Sequence, residues 1–156
     1  MNETIQNLLR EAIAAHQKSD MALAEQRYNE ILAIDSNHPD ANHNTGVIKA
    51  SIGKYEAAKT FFLKAVNAMP SFAPYWQSYI KVHMQMGNIH DAKRSIAEAR
   101  KNGILQTDLK ELQDHIDKQL VKNRKIYEVS NGKTLQLTDS IKLQMDNLIS
   151  ERKFEN

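Results

Sequence analysis

The chain repeats itself every 34 residues, and this period constrains its fold more than any other feature. When residues 5–38, 39–72 and 73–106 are aligned, Ala24, Ala58 and Ala92 share one column. Tyr28, Phe62 and Ile96 follow one helical turn later; Leu8, Asn42 and Trp76 share an earlier column, with Ala12, Gly46 and Ile80 one turn on. Ser19, Gly53 and Gly87 mark the turn within each unit. Small residues at fixed slots in a period of this length predict a stack of helix pairs, each too small to bury its own apolar face. The expected fold is therefore all-α: a right-handed solenoid of three helix-turn-helix repeats with capping and extra C-terminal helices.

Breakers and caps set the expected helix limits. Asn2 or Thr4 caps a first helix running to about Lys18, and Ser19-Asp20 stops it and caps a second over Met21–Ile34. Pro39 suits the first turn of the third helix, which ends near Ile52-Gly53. Tyr55–Ala68, Pro74–Met86 and Ile89–Lys101 complete the set. Gly46 and Ala58 are expected where two helices cross closely, with Tyr28, Phe61, Phe62, Trp76 and Tyr79 in the wider gaps between pairs.

The period fades after Gln106. Thr107-Asp108, with Glu111 at capping-box spacing, predicts a polar capping helix over 107–126. Asn131-Gly132 between two β-favouring runs predicts a loop or small hairpin at 127–137. Residues 138–156 read as an extra helix, the first half of a further repeat, since Glu151-Arg-Lys-Phe-Glu-Asn156 resembles the turn at Gly53-Lys-Tyr-Glu-Ala-Ala58, with Phe154 where Tyr55 stands.

Composition excludes several classes of function. The formal charge is +2, from 21 Lys and Arg against 19 Asp and Glu, too balanced to point to nucleic acid or an acidic membrane. There are no cysteines, which removes disulfides, thiolate nucleophiles and Cys-ligated zinc. The N-terminus lacks the features of a signal peptide, and no stretch approaches the roughly 20 apolar residues that cross a bilayer. The cytoplasm is the expected location. None of the histidines His16, His38, His43, His83, His90 and His115 pairs with another at helical ligand spacing, so no metal or other cofactor is expected and the histidines read as surface residues. Gly-rich phosphate loops and nucleophile elbows are absent, and no enzymatic activity is expected within this segment. The basic strip Lys118, Lys122, Arg124 and Lys125 is interrupted by Asp114, Asp117 and Glu128 and reads as a solvated face.

The segments AEQRYNEILAID, GKYEAAKTFFLKAVNAMP and GNIHDAKRSIAEARKNG resemble the second helix and flanking turns of tetratricopeptide repeats. The resemblance covers Thr4 to about Gln106. Departures include Ser19 for glycine, Ile31 for a small residue, and Lys49 and His83 at a slot usually aromatic. More narrowly, the chain is similar to the N-terminal repeat regions of bacterial glycosyltransferases of the O-linked N-acetylglucosamine transferase kind and of repeat-bearing sulfotransferases. This resemblance implies a non-catalytic front region, one alternative reading of the chain.

What the family resemblance implies most directly is a module binding a protein or peptide in a concave groove lined by the first helix of each pair. Its candidate contacts are Gln6, Arg10 and Gln17; then His43, Asn44, Val47 and Ser51; then Gln77, Ser78, Lys81 and Gln85. Amides there are suited to an extended backbone. Asn44 stands at an asparagine-ladder slot, but Arg10 and Ser78 interrupt the ladder. Leu9, Ile13, Pro74 and Ser78 stand at carboxylate-clamp slots, which argues against that clamp. Weak self-association is a further alternative.

Overall fold

A computed structural model describes residues 3–130 of the chain, with side chains to Asn123. Seven helices follow in order among the described residues: α1 (Glu3–Gln17), α2 (Met21–Ile34), α3 (Pro39–Ser51), α4 (Tyr55–Ala68), α5 (Ala73–Gln85), α6 (Ile89–Lys101) and α7 (Gln106–Ser130). The chain divides into two compact units, Met1–Gln119 and Leu120–Asn156. In the first, each helix from α1 to α5 packs on the next, and α3 also touches α5. Contact between the first helices of successive pairs puts α3 and α5 side by side on one wall, as stacked helix pairs require.

The turn inside each pair is the same structure three times. The helix before it ends with a residue in the left-handed region: Ser19 at φ 62°, Gly53 at 75° and Gly87 at 75°. The following N–H then reaches back across the last turn, from Asp20 to Ala15, Lys54 to Lys49 and Asn88 to His83, each at 2.9 Å. This is the Schellman arrangement, in which a glycine avoids the clash of a Cβ with backbone. Asp20 adds a side-chain cap, accepting from the Leu23 N–H at 3.1 Å. Ser19 is the one non-glycine with positive φ among the described residues. A left-handed L-residue costs about 1–2 kcal/mol, and glycine returns part of that as unfolded-chain entropy. Ser19→Gly is therefore expected to stabilise the array by about 0.5–1 kcal/mol, read from the urea midpoint at unchanged slope.

The turns between pairs are closed differently. Asn42, fully buried, donates from Nδ2 to the carbonyls of Ser36 and His38, each at 3.0 Å. One period later Trp76 donates from Nε1 to the Pro70 carbonyl at 2.7 Å. Both side chains reach the carbonyl six residues earlier, so two unlike residues at one column perform one task. His38 begins α3 by accepting from the Ala41 N–H at 3.3 Å.

The column residues face inward. Ala24, Ala58 and Ala92 are all fully buried, as are Tyr28 and Ile80. Gly46 does leave room, but chiefly for Phe62: a Cβ built on it would lie 2.7 Å from two ring carbons. Phe62 packs with Ala58 and with Val82 of the next pair, so the ring fills space within its own pair as well as between pairs. Phe61, expected in a wide gap, is only half-buried.

Two expectations for the C-terminal region change. α7 begins at Gln106, and the Asp108 N–H bonds to the Leu105 carbonyl at 3.1 Å, so Asp108 lies inside the first turn rather than at the cap. α7 then continues to Ser130, so Tyr127–Ser130 are helical rather than the start of a loop. As far as Asn123, Leu109 and Ile116 are its buried positions, two turns apart on one face. The remainder of the expected hairpin and the extra helix at 138–156 lie outside the described residues.

Candidate functional site

The inner wall is built from α3 and α5, and side-chain bonds tie the two helices. Tyr75 Oη donates to Asp40 Oδ1 at 2.6 Å, and His43 Nε2 is 2.9 Å from Ser78 Oγ. The His43 ring also lies against Tyr75 and Phe62, with centroids at 5.0 and 5.6 Å. Burial pushes the His43 imidazole below its ordinary pKa, opposed by the charge of Asp40. The same burial, reinforced by the bond to Asp40, holds the Tyr75 phenol well above its usual range. The neutral forms of both rings are favoured, as suits groups that seal a helix contact rather than present charge.

These ties engage part of the expected groove surface. His43 and Ser78 are bonded to each other. Asn44 donates to the Asp40 carbonyl in its own helix at 2.9 Å, and Ser51 likewise to Ile48 at 2.8 Å. Gln77 donates to the Asp108 carbonyl at 2.8 Å, which fastens α7 to α5.

Four of the expected contacts converge. Val47, Ser78, Lys81 and Gln85 ring a hollow of about 160 Å³ floored by Phe62 and Val82. Lys81 and Gln85 are exposed at its rim, and Lys81 makes no ion pair among the described residues. The hollow has room for an apolar side chain, with one cation and one amide at its edge. Gln6, Arg10 and Gln17 lie exposed on α1 and line neither this hollow nor the one described next. Arg10 instead bonds Asn7 on its own helix.

A different face of α5 lines a larger hollow, about 450 Å³, between α4 and α6. Lys59, Tyr79, His83 and Arg94 converge there, and sequence reading missed it because its residues come from three helices without a shared motif. The histidines also depart from expectation: His38 and His83 are buried, the first as a helix cap and the second under Tyr79 at a centroid distance of 4.8 Å. No group of three or more His, Asp or Glu among the described residues is arranged to hold a metal ion, and no described helix is long and apolar enough to cross a membrane.

Comparison of the sequence with protein-family models and with curated proteins gives no match. Solved structures do match. A Thermobaculum terrenum O-GlcNAc transferase is 26% identical over 64% of this chain, with a TM-score of 0.58, and the chain spans only 19% of that protein's length. The first TPR of Spaghetti (RPAP3), bound to the HSP90 peptide SRMEEVD, has a TM-score of 0.68 at 12% identity and covers 78% of this chain and 96% of its own. The Yersinia enterocolitica type III secretion chaperone SycD, in complex with a peptide of the translocator YopD, has a TM-score of 0.65 at 15% identity and covers 80% and 97%. The 34-residue period, the thrice-repeated turn and these likenesses together show that the chain has the fold of a tetratricopeptide-repeat array.

Proposed function

We propose that this array is a protein-interaction module that holds an extended peptide along the α3–α5 wall, with one apolar side chain in the inner hollow. The observation that carries the reading is the convergence of Val47, Ser78, Lys81 and Gln85 around that hollow. An apolar floor supplies burial and the polar rim supplies orientation, the usual division of labour in a side-chain pocket. Similarly folded proteins holding the HSP90 and YopD peptides support the choice of ligand class. A synthetic peptide array probed with the native chain and with Val47→Asp/Lys81→Glu tests it. Both positions are partly or fully exposed, so the melting temperature is expected to hold while peptide binding falls at least tenfold. Unchanged binding by the double variant overturns the assignment.

The likeness to the Thermobaculum transferase favours a second reading, in which the array is the non-catalytic, substrate-recruiting part of a longer glycosyltransferase. Reading the gene beyond Asn156 and assaying its full product for sugar transfer tests this. A stop codon directly after Asn156 overturns it.

A further inference from the structure

The repeat allows one gap in the array to be compared with another. In the gap between α2 and α4, Glu25 of α2 forms an ion pair with Lys49 of α3, and Phe61 stands on α4. One period later, between α4 and α6, the same three slots carry Lys59, His83 and Ser95. The carboxylate has become a cation, the cation an imidazole, and the phenylalanine ring a hydroxyl. The hollow of about 450 Å³ lies here.

No carboxylate stands at the slot of Glu25; the carboxylates that line this hollow, Asp91 and Glu98, both come from α6. His83 is 6% exposed and its Nδ1, fully enclosed, has no hydrogen-bond partner among the described residues. Lys59 pairs within its own helix with exposed Glu56 at 2.6 Å rather than with a residue of α5. Arg94, 82% exposed at the side chain, stands where the first gap has Thr60 and among the described residues pairs only with Asp91 one turn away. Burial pushes the His83 imidazole below its ordinary pKa; Lys59 and Arg94 push the same way, against Asp91 and Glu56. The apolar side has grown at the same time. Trp76 replaces Asn42, and Leu63, 41% exposed, replaces Asn29.

We propose that the α4–α5–α6 hollow is a second binding site, separate from the inner wall, which takes the carboxylate of an acidic peptide residue between Lys59 and His83 and that residue's apolar neighbour against Trp76 and Leu63. The ligand carboxylate then occupies the place of Glu25 in the first gap, accepting from the Lys59 ammonium and from a protonated His83. Charge-assisted bonds of this kind exceed neutral ones by roughly a factor of two, so the acid is distinguished from its amide.

The test is an NMR titration of the isotopically labelled chain with acetyl-Leu-Glu-Leu-amide and, in parallel, acetyl-Leu-Gln-Leu-amide. The glutamate peptide is expected to shift the Lys59, Tyr79 and His83 resonances, to raise the pH midpoint of the His83 ring, and to bind about tenfold more tightly than the glutamine peptide. Lys59→Glu installs the first gap's carboxylate; it should abolish binding and raise the His83 midpoint with no peptide present. Ser95→Phe installs the first gap's ring and should block the peptide. Should Ser95→Phe fail to fold, Lys59→Glu at a partly exposed rim position decides alone. Equal affinity for the two peptides overturns the proposal. So do shifts confined to Val47, Lys81 and Gln85, or a Lys59→Glu variant that leaves both binding and the His83 midpoint unchanged.

Discussion

Replacing Phe62 by alanine is expected to lower stability by about 3–5 kcal/mol, the cost of emptying a large aromatic site in a packed core. The ring is 3% exposed and sits at a junction, against Gly46 and Ala58 within its own pair and Val82 in the next. Its loss thus weakens one pair and its stacking on another. The same ring explains why residue 46 is glycine. A Cβ there would meet Cδ1 and Cε1 of Phe62 at 2.7 Å, closer than such atoms approach, while alanine is the better helix former by about 1 kcal/mol. Overpacking costs about 1–3 kcal/mol, so in the native background Gly46→Ala should be net destabilising. In the Phe62→Ala background the obstruction is gone and only the helix preference remains, so the same substitution should become stabilising. A urea double-mutant cycle reads this reversal directly. If Gly46→Ala has the same sign in both backgrounds, the ring is not what excludes a side chain at residue 46.

The helical frame could be read from the sequence because its signals are local. Apolar residues three and four apart set each helix, and Ser19, Gly53 and Gly87 set each turn; α2, α4 and α6 have the ends that their flanking residues imply. Ser19 could be assigned to a glycine slot only because the period supplies the comparison. What escaped depends on contacts between distant residues. Asp40 and Tyr75, or His43 and Ser78, are 35 residues apart, and neither pair matches any spacing rule. Asn42 and Trp76 share a column yet no chemistry, so their common bond to the preceding turn was hidden. His38 is an unusual cap, which requires its ring to be buried. At the end of α7, Tyr127 and Val129 suggested a strand, but propensity differences of a few tenths of a kcal/mol per residue do not stop a helix already propagating from Gln106. Of the candidate groove, Val47, Lys81 and Gln85 were legible as one helical face repeated. The engagement of His43, Ser78, Asn44 and Gln77 with other parts of the protein was not.

Asn42→Asp is expected to cost about 3–5 kcal/mol at neutral pH, although the two side chains are nearly identical in shape. Asn42 is fully buried and uses its Nδ2 to donate to two carbonyl oxygens, those of Ser36 and His38. A carboxylate has no proton to give, so it would face both oxygens with an unpaired charge. The His38 carbonyl keeps the Asn42 backbone N–H at 3.0 Å, leaving the Ser36 carbonyl as the group stranded by the change. Position 42 lies near the start of α3, where the helix dipole favours a negative charge, but that gain is only about 0.3–1 kcal/mol and does not decide the balance. A protonated aspartic acid, by contrast, can donate to Ser36 as the amide does. The folded protein should therefore hold this carboxyl above its unfolded pKa of about 3.9. Stability relative to the native chain is then nearly restored below about pH 4 and is lost as pH rises through the raised folded value. Asn42→Ala has no such proton and should show a constant deficit of about 2–3 kcal/mol. Urea unfolding of the native chain and both variants from pH 4 to 7.5 separates the two cases. A pH-independent deficit for Asn42→Asp would mean that the turn between α2 and α3 is not held by donation from this side chain.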